Sequence, residues 1–186
     1  MKSGYLIGII ILLIAVNLTL LYKYWQLQKK FIEMGLQEGQ ETLKLNSIPE
    51  FQLQDLEGKI FNSNDLRNYA YSLLIFFSPG DCASCLVEKD LWNRIYKENK
   101  VKIVGIARHT DLRELKDWVK NSEIFFQVLF DENSRLMESL GIKQTPVKIL
   151  IDRHGKVLLV DRVRITQYQQ EMFLKRLDKI IKKVEY

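Results

Sequence analysis

The sequence predicts an α/β fold, a central mixed sheet flanked by helices, with one N-terminal transmembrane helix ahead of it. Three observations lead there. Two apolar runs, Ser72–Phe77 and Val101–Ala107, are continuous enough for strands covered on both faces, and a helical pattern follows each. Residues 147–152 and 157–161 read as a strand pair trailed by a helical pattern. Residues 4–22 carry no charge at all.

The chain of 186 residues suits one domain of ordinary size plus an extension. It is 47% hydrophobic and 27% charged, enough to bury a core without disulfide staples. Net charge is +5, yet the basic residues are scattered, with only short doublets such as Lys29-Lys30 and Lys182-Lys183. No basic stripe is interleaved with aromatics, which argues against nucleic acid as a partner. A mildly basic surface beside an anionic membrane fits the same composition.

Gly4–Tyr22 is apolar apart from Asn17. At ~1.5 Å per residue it nearly spans a hydrocarbon core ~30 Å thick. Tyr22, Tyr24 and Trp25 follow where an interfacial aromatic belt would lie. The segment lacks an A-x-A-like cleavage site and a nearby cysteine for lipid attachment, so an uncleaved anchor is expected rather than a signal peptide. Lys2 and the α-amino group flank one side; Lys23, Lys29 and Lys30 flank the other, a count that leans towards a cytoplasmic C-terminal domain. Residues 23–47 are polar, with Gln26, Gln28, Gln37 and Gln40, and read as a juxtamembrane stalk. Pro49 then opens the folded part. The expected division is a tail 1–3, an anchor 4–22, a stalk 23–47 and a domain 48–186.

Within that domain Phe51–Leu56 alternates apolar and polar, as a half-buried strand does, and Ile60-Phe61 resumes after a turn at Glu57–Lys59. Ser72–Phe77 stops at Ser78-Pro79-Gly80, a strong breaker cluster. Leu86, Leu91, Trp92, Ile95 and Tyr96 then fall on one helical face. Val101–Ala107 is a second buried strand and Asp111–Lys120 a helix. The strands at 147–152 and 157–161 are joined through Arg153–Lys156. Phe173, Leu177, Ile180, Ile181 and Val184 keep helical spacing to the end.

The only two cysteines, Cys82 and Cys85, stand at the junction between the first buried strand and its helix. A cysteine at a helix N-terminus meets unpaired N–H groups and the positive end of the dipole, which favour the thiolate. Two intervening residues keep the sulfurs within exchange distance. Asp81 is a candidate N-cap whose charge opposes that thiolate. Half a zinc site would need two further ligands, and His109 and His154 sit in no ligand-spaced motif; no metal or other cofactor is expected. A non-catalytic binding or metallochaperone module at the membrane is the alternative from another class. His109 at a strand end, His154 in a turn, and Trp92 and Trp118 on helices read as loop and packing residues.

Residues 48–184 resemble the thioredoxin superfamily, in particular its TlpA-like, AhpC/TSA-related branch of membrane-anchored thiol-disulfide oxidoreductases. The resemblance implies a thioredoxin-like fold, Cys82 as attacking thiol, Cys85 as resolving thiol, and a cis-proline at Thr145-Pro146 facing the pair. Like some reductases of cytochrome c maturation, the chain carries Glu88 three residues after the second cysteine. At i, i+3 it shares a face with Cys85, as a proton shuttle or simply as an exposed helix carboxylate. The implied partners are protein disulfide or dithiol substrates and a membrane or soluble thiol electron donor. The implied location of the domain is extracytoplasmic, against the flanking charges, with a lean to reduction in protein or cofactor maturation. Two departures stand out: Gly80-Asp81 replaces the usual tryptophan before the first cysteine, and Ala83-Ser84 matches no familiar redox poise. A peroxiredoxin P-x-x-x-T-x-x-C pattern does not align, since Ala83 and Leu86 stand where threonine and cysteine would.

Overall fold

The computed structural model describes residues 8, 12–26, 45–80 and 83–184. The chain divides into two compact units, Met1–Thr42 and Leu43–Tyr186.

In the first unit residue 8 and residues 12–26 are helical. Leu12, Leu13, Ile14, Val16, Leu18, Leu20 and Leu21 all stand exposed, as do Tyr22, Tyr24 and Trp25. Asn17 and Thr19 turn their polar groups back onto the helix, donating to the carbonyls of Leu13, and of Ala15 and Val16, respectively. No helix among the described residues is long and apolar enough to cross a membrane. Much of the expected anchor's first half, and of the stalk beyond residue 26, lies outside the described residues.

The second unit is built on β1 (Gln52–Asp55), β2 (Ile60–Asn62), a 3-10 turn (Ser63–Asn68), β3 (Tyr71–Phe77), α1 (Ala83–Glu98), β4 (Lys102–His109), α2 (Leu112–Asn121), β5 (Gln127–Glu132), α3 (Arg135–Ser139), β6 (Val147–Asp152), β7 (Val157–Asp161) and α4 (Gln167–Val184). Among the described residues the strands form one seven-stranded sheet in the order β2-β1-β5-β4-β3-β6-β7. β3, β4 and β5 are parallel neighbours, while β6 and β7 and the β1–β2 hairpin run antiparallel, which makes the sheet mixed as expected.

The sheet is covered on both faces, and strand alternation decides which side chain goes where. Leu73, Ile75 and Phe77 of β3 join one core layer with Leu91, Trp92 and Ile95 of α1, Leu115 and Val119 of α2, and Phe173, Leu174 and Leu177 of α4. Leu74 and Phe76 point the other way, to a layer closed by Leu66, Leu136, Met137 and Leu140. The parallel steps from β3 to β4 and from β4 to β5 need crossovers, and α1 and α2 supply them on the same face.

Several sequence expectations change. Leu86 and Tyr96 do not share the buried face of α1 with Leu91, Trp92 and Ile95; they are 50% and 43% exposed. The buried stripe is narrower because α1 lies between the sheet and solvent, and only Cys85, Glu88, Leu91, Trp92, Asn93 and Ile95 turn inward. β5 and α3, absent from the sequence reading, extend the sheet beyond β4 and cover its other face. The folded unit also takes in residues before Ile48. Leu45 packs on the second core layer, and the Val157 N–H donates to the Asn46 carbonyl at 2.9 Å.

Candidate active site

The C-terminal end of β3 leads the chain towards the Cys82–Cys85 segment. β3 is buried along its whole length. It ends at Ser78-Pro79-Gly80, where Gly80 takes φ +86°, a left-handed turn that favours glycine. Helix α1 begins at Ala83. Asp81 and Cys82, the expected cap and attacking thiol, lie outside the described residues.

Cys85 sits in the first turn of α1 and is fully buried in the core layer beneath that helix. Glu88, one turn further on, is fully buried as well. The reading of Glu88 as an exposed helix carboxylate is therefore corrected: it shares the inward face with Cys85. A carboxylate can stay there only if donors replace the water it gives up.

Those donors come from three places. Lys148 Nζ, from β6, donates to Glu88 Oε1 at 2.8 Å and to Oε2 at 2.7 Å. Trp92 Nε1, from the next turn of α1, donates to Oε2 at 3.0 Å. The backbone N–H of Arg164, in the loop between β7 and α4, donates to Oε1. Burial raises the Glu88 carboxyl above its ordinary value, while Lys148, Trp92 and the Arg164 N–H pull the other way. Lys148 is itself fully buried and stands directly across the β6–β7 pairing from Asp161, whose Oδ2 lies 3.4 Å from Nζ. Asp161 in turn receives the Arg164 guanidinium, through Nε at 3.0 Å to Oδ1 and 3.1 Å to Oδ2. The Asp161 carboxylate holds Arg164 above its already high ordinary value. Glu88, Lys148, Asp161 and Arg164 thus form a closed, charge-balanced cluster beneath the start of α1.

Pro146 closes the other side. The Thr145-Pro146 bond is cis. Val147 pairs with Phe76, so buried Pro146 comes level with the end of β3, beside the turn that leads into the motif. The structure thus gathers Cys85, Glu88 and Pro146 at the C-terminal edge of β3. His109 and His154 are not part of this group. His109 Nδ1 accepts from the Asp111 N–H at the start of α2, and His154 sits in the β6–β7 turn, where its N–H donates to Asp152. Trp118 packs on the Phe77 ring at 5.5 Å. Trp92 packs on Phe77 from 5.6 Å, but its N–H also serves Glu88, a role beyond simple packing. No cluster of three or more potential metal ligands occurs among the described residues.

Lys148, Asp161 and Arg164 were not singled out from the sequence. A signal was there for the first. A lysine inside the apolar run VKILID, in a strand buried on both faces, must find an anionic partner, and Asp161 ends the next strand.

The family model for AhpC/TSA matches residues 45–160, from just inside the folded unit into β7. The chain belongs to the AhpC/TSA family. Curated relatives carry the comparison along nearly the whole length. The thiol-disulfide oxidoreductase ResA of Bacillus cereus is 30% identical over 183 residues, 95% of this chain and 98% of the relative. The ResA of Halalkalibacterium halodurans is 24% identical over 127 residues, 67% of this chain and 71% of that protein. Among solved structures, MTB DsbF aligns with a TM-score of 0.60 at 24% identity, over 69% of this chain and 93% of that one. The thioredoxin domain of a thiol-disulfide oxidoreductase from Bacteroides vulgatus gives a TM-score of 0.60 at 20% identity, over 70% and 94%. At these identities the structures show the shared thioredoxin-like fold. Together with the family match and the ResA relatives, the chain is an oxidoreductase of the thiol-disulfide class, and the expected fold class of its folded unit holds.

Proposed function

We propose that this AhpC/TSA-family member is a membrane-anchored enzyme that exchanges disulfides with specific extracytoplasmic proteins through Cys82 and Cys85, working as a reductase in protein or cofactor maturation. The observation that carries the site assignment is the burial of Cys85 and Glu88 one turn apart on the inner face of α1, at the sheet edge where Pro146 lies. In the first step the Cys82 thiolate attacks one sulfur of a substrate disulfide and displaces the other as a thiolate, leaving a mixed disulfide. Glu88 then takes the Cys85 proton. The Cys85 thiolate attacks Cys82, the bond to substrate breaks with its electron pair on the substrate sulfur, and the enzyme is left oxidised as Cys82–Cys85. An external thiol donor returns it to the dithiol. Pro146 borders the cleft in which the substrate chain would lie.

The anchor rests on the uncharged run 4–22 and on the exposed leucines of the helical residues 12–21. Fusion of a reporter after Tyr186 tests the extracytoplasmic placement. The chemical reading is tested by trapping. In cells that express the full chain, Cys85→Ala should accumulate mixed disulfides through Cys82, and Cys82→Ala should abolish them. A protein that traps no partner, and instead binds a metal ion stoichiometrically through the pair, would point to the binding-module alternative.

A further inference from the structure

The Glu88–Lys148 pair holds more acceptors than donors. An ammonium has three N–H bonds. Lys148 Nζ nonetheless lies near four oxygens: Glu88 Oε1 at 2.8 Å, Glu88 Oε2 at 2.7 Å, the Arg162 carbonyl at 2.6 Å and Asp161 Oδ2 at 3.4 Å. Asp161 is the distant one. A small displacement of Nζ exchanges a Glu88 oxygen for Asp161 without leaving any N–H unpaired. The Phe173 ring, 5.2 Å from Nζ, closes the site from α4 and offers no competing acceptor.

Charge counting gives this geometry a role. While Glu88 is anionic the cluster of Glu88, Lys148, Asp161 and Arg164 sums to zero. Once Glu88 takes a proton the cluster carries one net positive charge, beneath the turn that holds Cys85. A thiolate forming on Cys85 is stabilised by that charge. Without Lys148, Glu88 would be buried against Trp92 Nε1 and a single backbone N–H, with Asp161 nearby as a second anion. Burial would then push its carboxyl further up, towards the protonated form that cannot accept a proton.

We propose that Lys148 is a positioning residue for resolution: it keeps Glu88 anionic while Cys85 is a thiol, and turns an N–H to Asp161 as the Cys85 proton arrives on Glu88. The proposal rests on the reading of Glu88 as the proton acceptor for Cys85. The charged and polar groups around Glu88 are Lys148 from β6, Asp161 from β7, Arg164 from the following loop and Trp92 on α1, where Cys85 shares its inward face one turn earlier.

The test uses the reduced full-length protein and 5,5′-dithiobis(2-nitrobenzoate) as the disulfide. Release of the aromatic thiolate in a first phase reports attack by Cys82; release in a second phase reports resolution by Cys85. That leaving thiolate needs no proton, so the second phase isolates deprotonation of Cys85. Lys148→Met should slow the second phase at least ~10-fold at neutral pH, less than the ~10²–10⁴-fold of a lost general base because Glu88 itself remains, and leave the first phase within about twofold. The deficit should shrink as pH rises, and Lys148→Arg should recover part of the rate. Glu88→Gln should be equally slow, and Glu88→Gln/Lys148→Met no slower than Glu88→Gln.

A Lys148→Met second phase at the wild-type rate, with Glu88→Gln slow, overturns the proposal while sparing Glu88. A Glu88→Gln second phase at the wild-type rate overturns both assignments. Absence of either phase in the wild type overturns the exchange chemistry itself. Should Lys148→Met fail to fold, Lys148→Arg still decides: a second phase slower than wild type, with the deficit shrinking as pH rises, supports the proposal, and a second phase at the wild-type rate and pH dependence overturns it. An isotope-edited infrared spectrum of the wild-type dithiol gives a further check. A carboxylate band for Glu88 at neutral pH supports the proposal, and a carboxylic-acid band overturns it.

Discussion

Carboxylates in this chain are held in two contrasting ways, and each has its own pH signature. Glu88 is buried and served by Lys148, Trp92 and the Arg164 N–H, whereas Asp111 stands at the surface as the N-cap of α2. Its Oδ1 accepts from the Arg113 N–H at 2.6 Å and the Glu114 N–H at 3.1 Å. The Glu114 and Arg113 N–H groups hold the Asp111 carboxyl below its ordinary value of 3.8. A lowered carboxyl stabilises the fold above its unfolded-state value, and that contribution is lost as pH falls through the lowered folded-state value. Asp111→Ala should therefore lower the urea midpoint at neutral pH, with the gap to wild type narrowing in acid. Asp111→Asn, which keeps an acceptor without the charge, should lose only the pH-dependent part. A gap that stays constant into acid would show that charge contributes nothing to this cap. Asp111 could be read from sequence as a helix start because caps are local. The partners of Glu88 could not, since Lys148 is 60 residues away and Arg164 is 76. Spacing put Glu88 on the same face as Cys85; only tertiary packing made that face an interior one.

Elements were legible where the apolar pattern was long and its contacts were local. β3, β6 and β7 lie where the runs at 72–77, 147–152 and 157–161 place them, β3 starting one residue earlier at Tyr71; β3 and β6, buried on both faces, carry nearly unbroken apolar sequence. β5 is a six-residue interior strand between β4 and β1, yet its apolar pattern is masked by Gln127 and Asp131. Asp131 is buried and points at the next element, accepting from the N–H groups of Leu136 and Met137 at 3.0 Å each. Five-residue α3 owes its start to that carboxylate rather than to a cap of its own, and so left no local signature. Gly105 on β4 sits at a tight point in the sheet. A Cβ there would meet Phe126 Cε2 and Phe77 Cε1 at 3.0 Å and Val128 Cγ2 at 3.2 Å. These rings and the methyl belong to the layer that supports α1, so they cannot give way independently. Gly105→Ala should destabilise the domain by about 1–3 kcal/mol, the usual cost of overpacking a well-filled core. Thermal unfolding would read this as a fall in Tm; an unchanged Tm would mean that Phe77 and Phe126 shift freely.

At the scale of the whole molecule, the proposed function gives the two units separable tasks. Every described strand and core-layer residue of the α/β unit comes from Leu45 onward, and its first ties to the sheet are made by Asn46, Ser47 and Ile48 with Val157, Lys156 and Gly155. The sheet therefore closes without the residues ahead of it. Exposed leucines and an uncharged run do nothing for that closure, and their cost in water is relieved only by a lipid or protein cover. Removal of residues 1–42 should then leave Tm and the rate of disulfide exchange within error of the full chain, while moving the protein from the membrane fraction to the soluble one. The full chain should stay with membranes through alkaline carbonate washing, as a spanning segment does and a charge-held surface protein does not. A full chain that washes off would remove the spanning anchor from the proposed function and leave the thiol chemistry untouched. Loss of exchange on truncation would be the more consequential result, since it would mean that the N-terminal unit takes part in the site itself. The closed cluster beneath α1 argues against this. Each donor to Glu88 and each charge that balances it is drawn from residues 88–164: the sheet, the helix packed on it and the loop after β7.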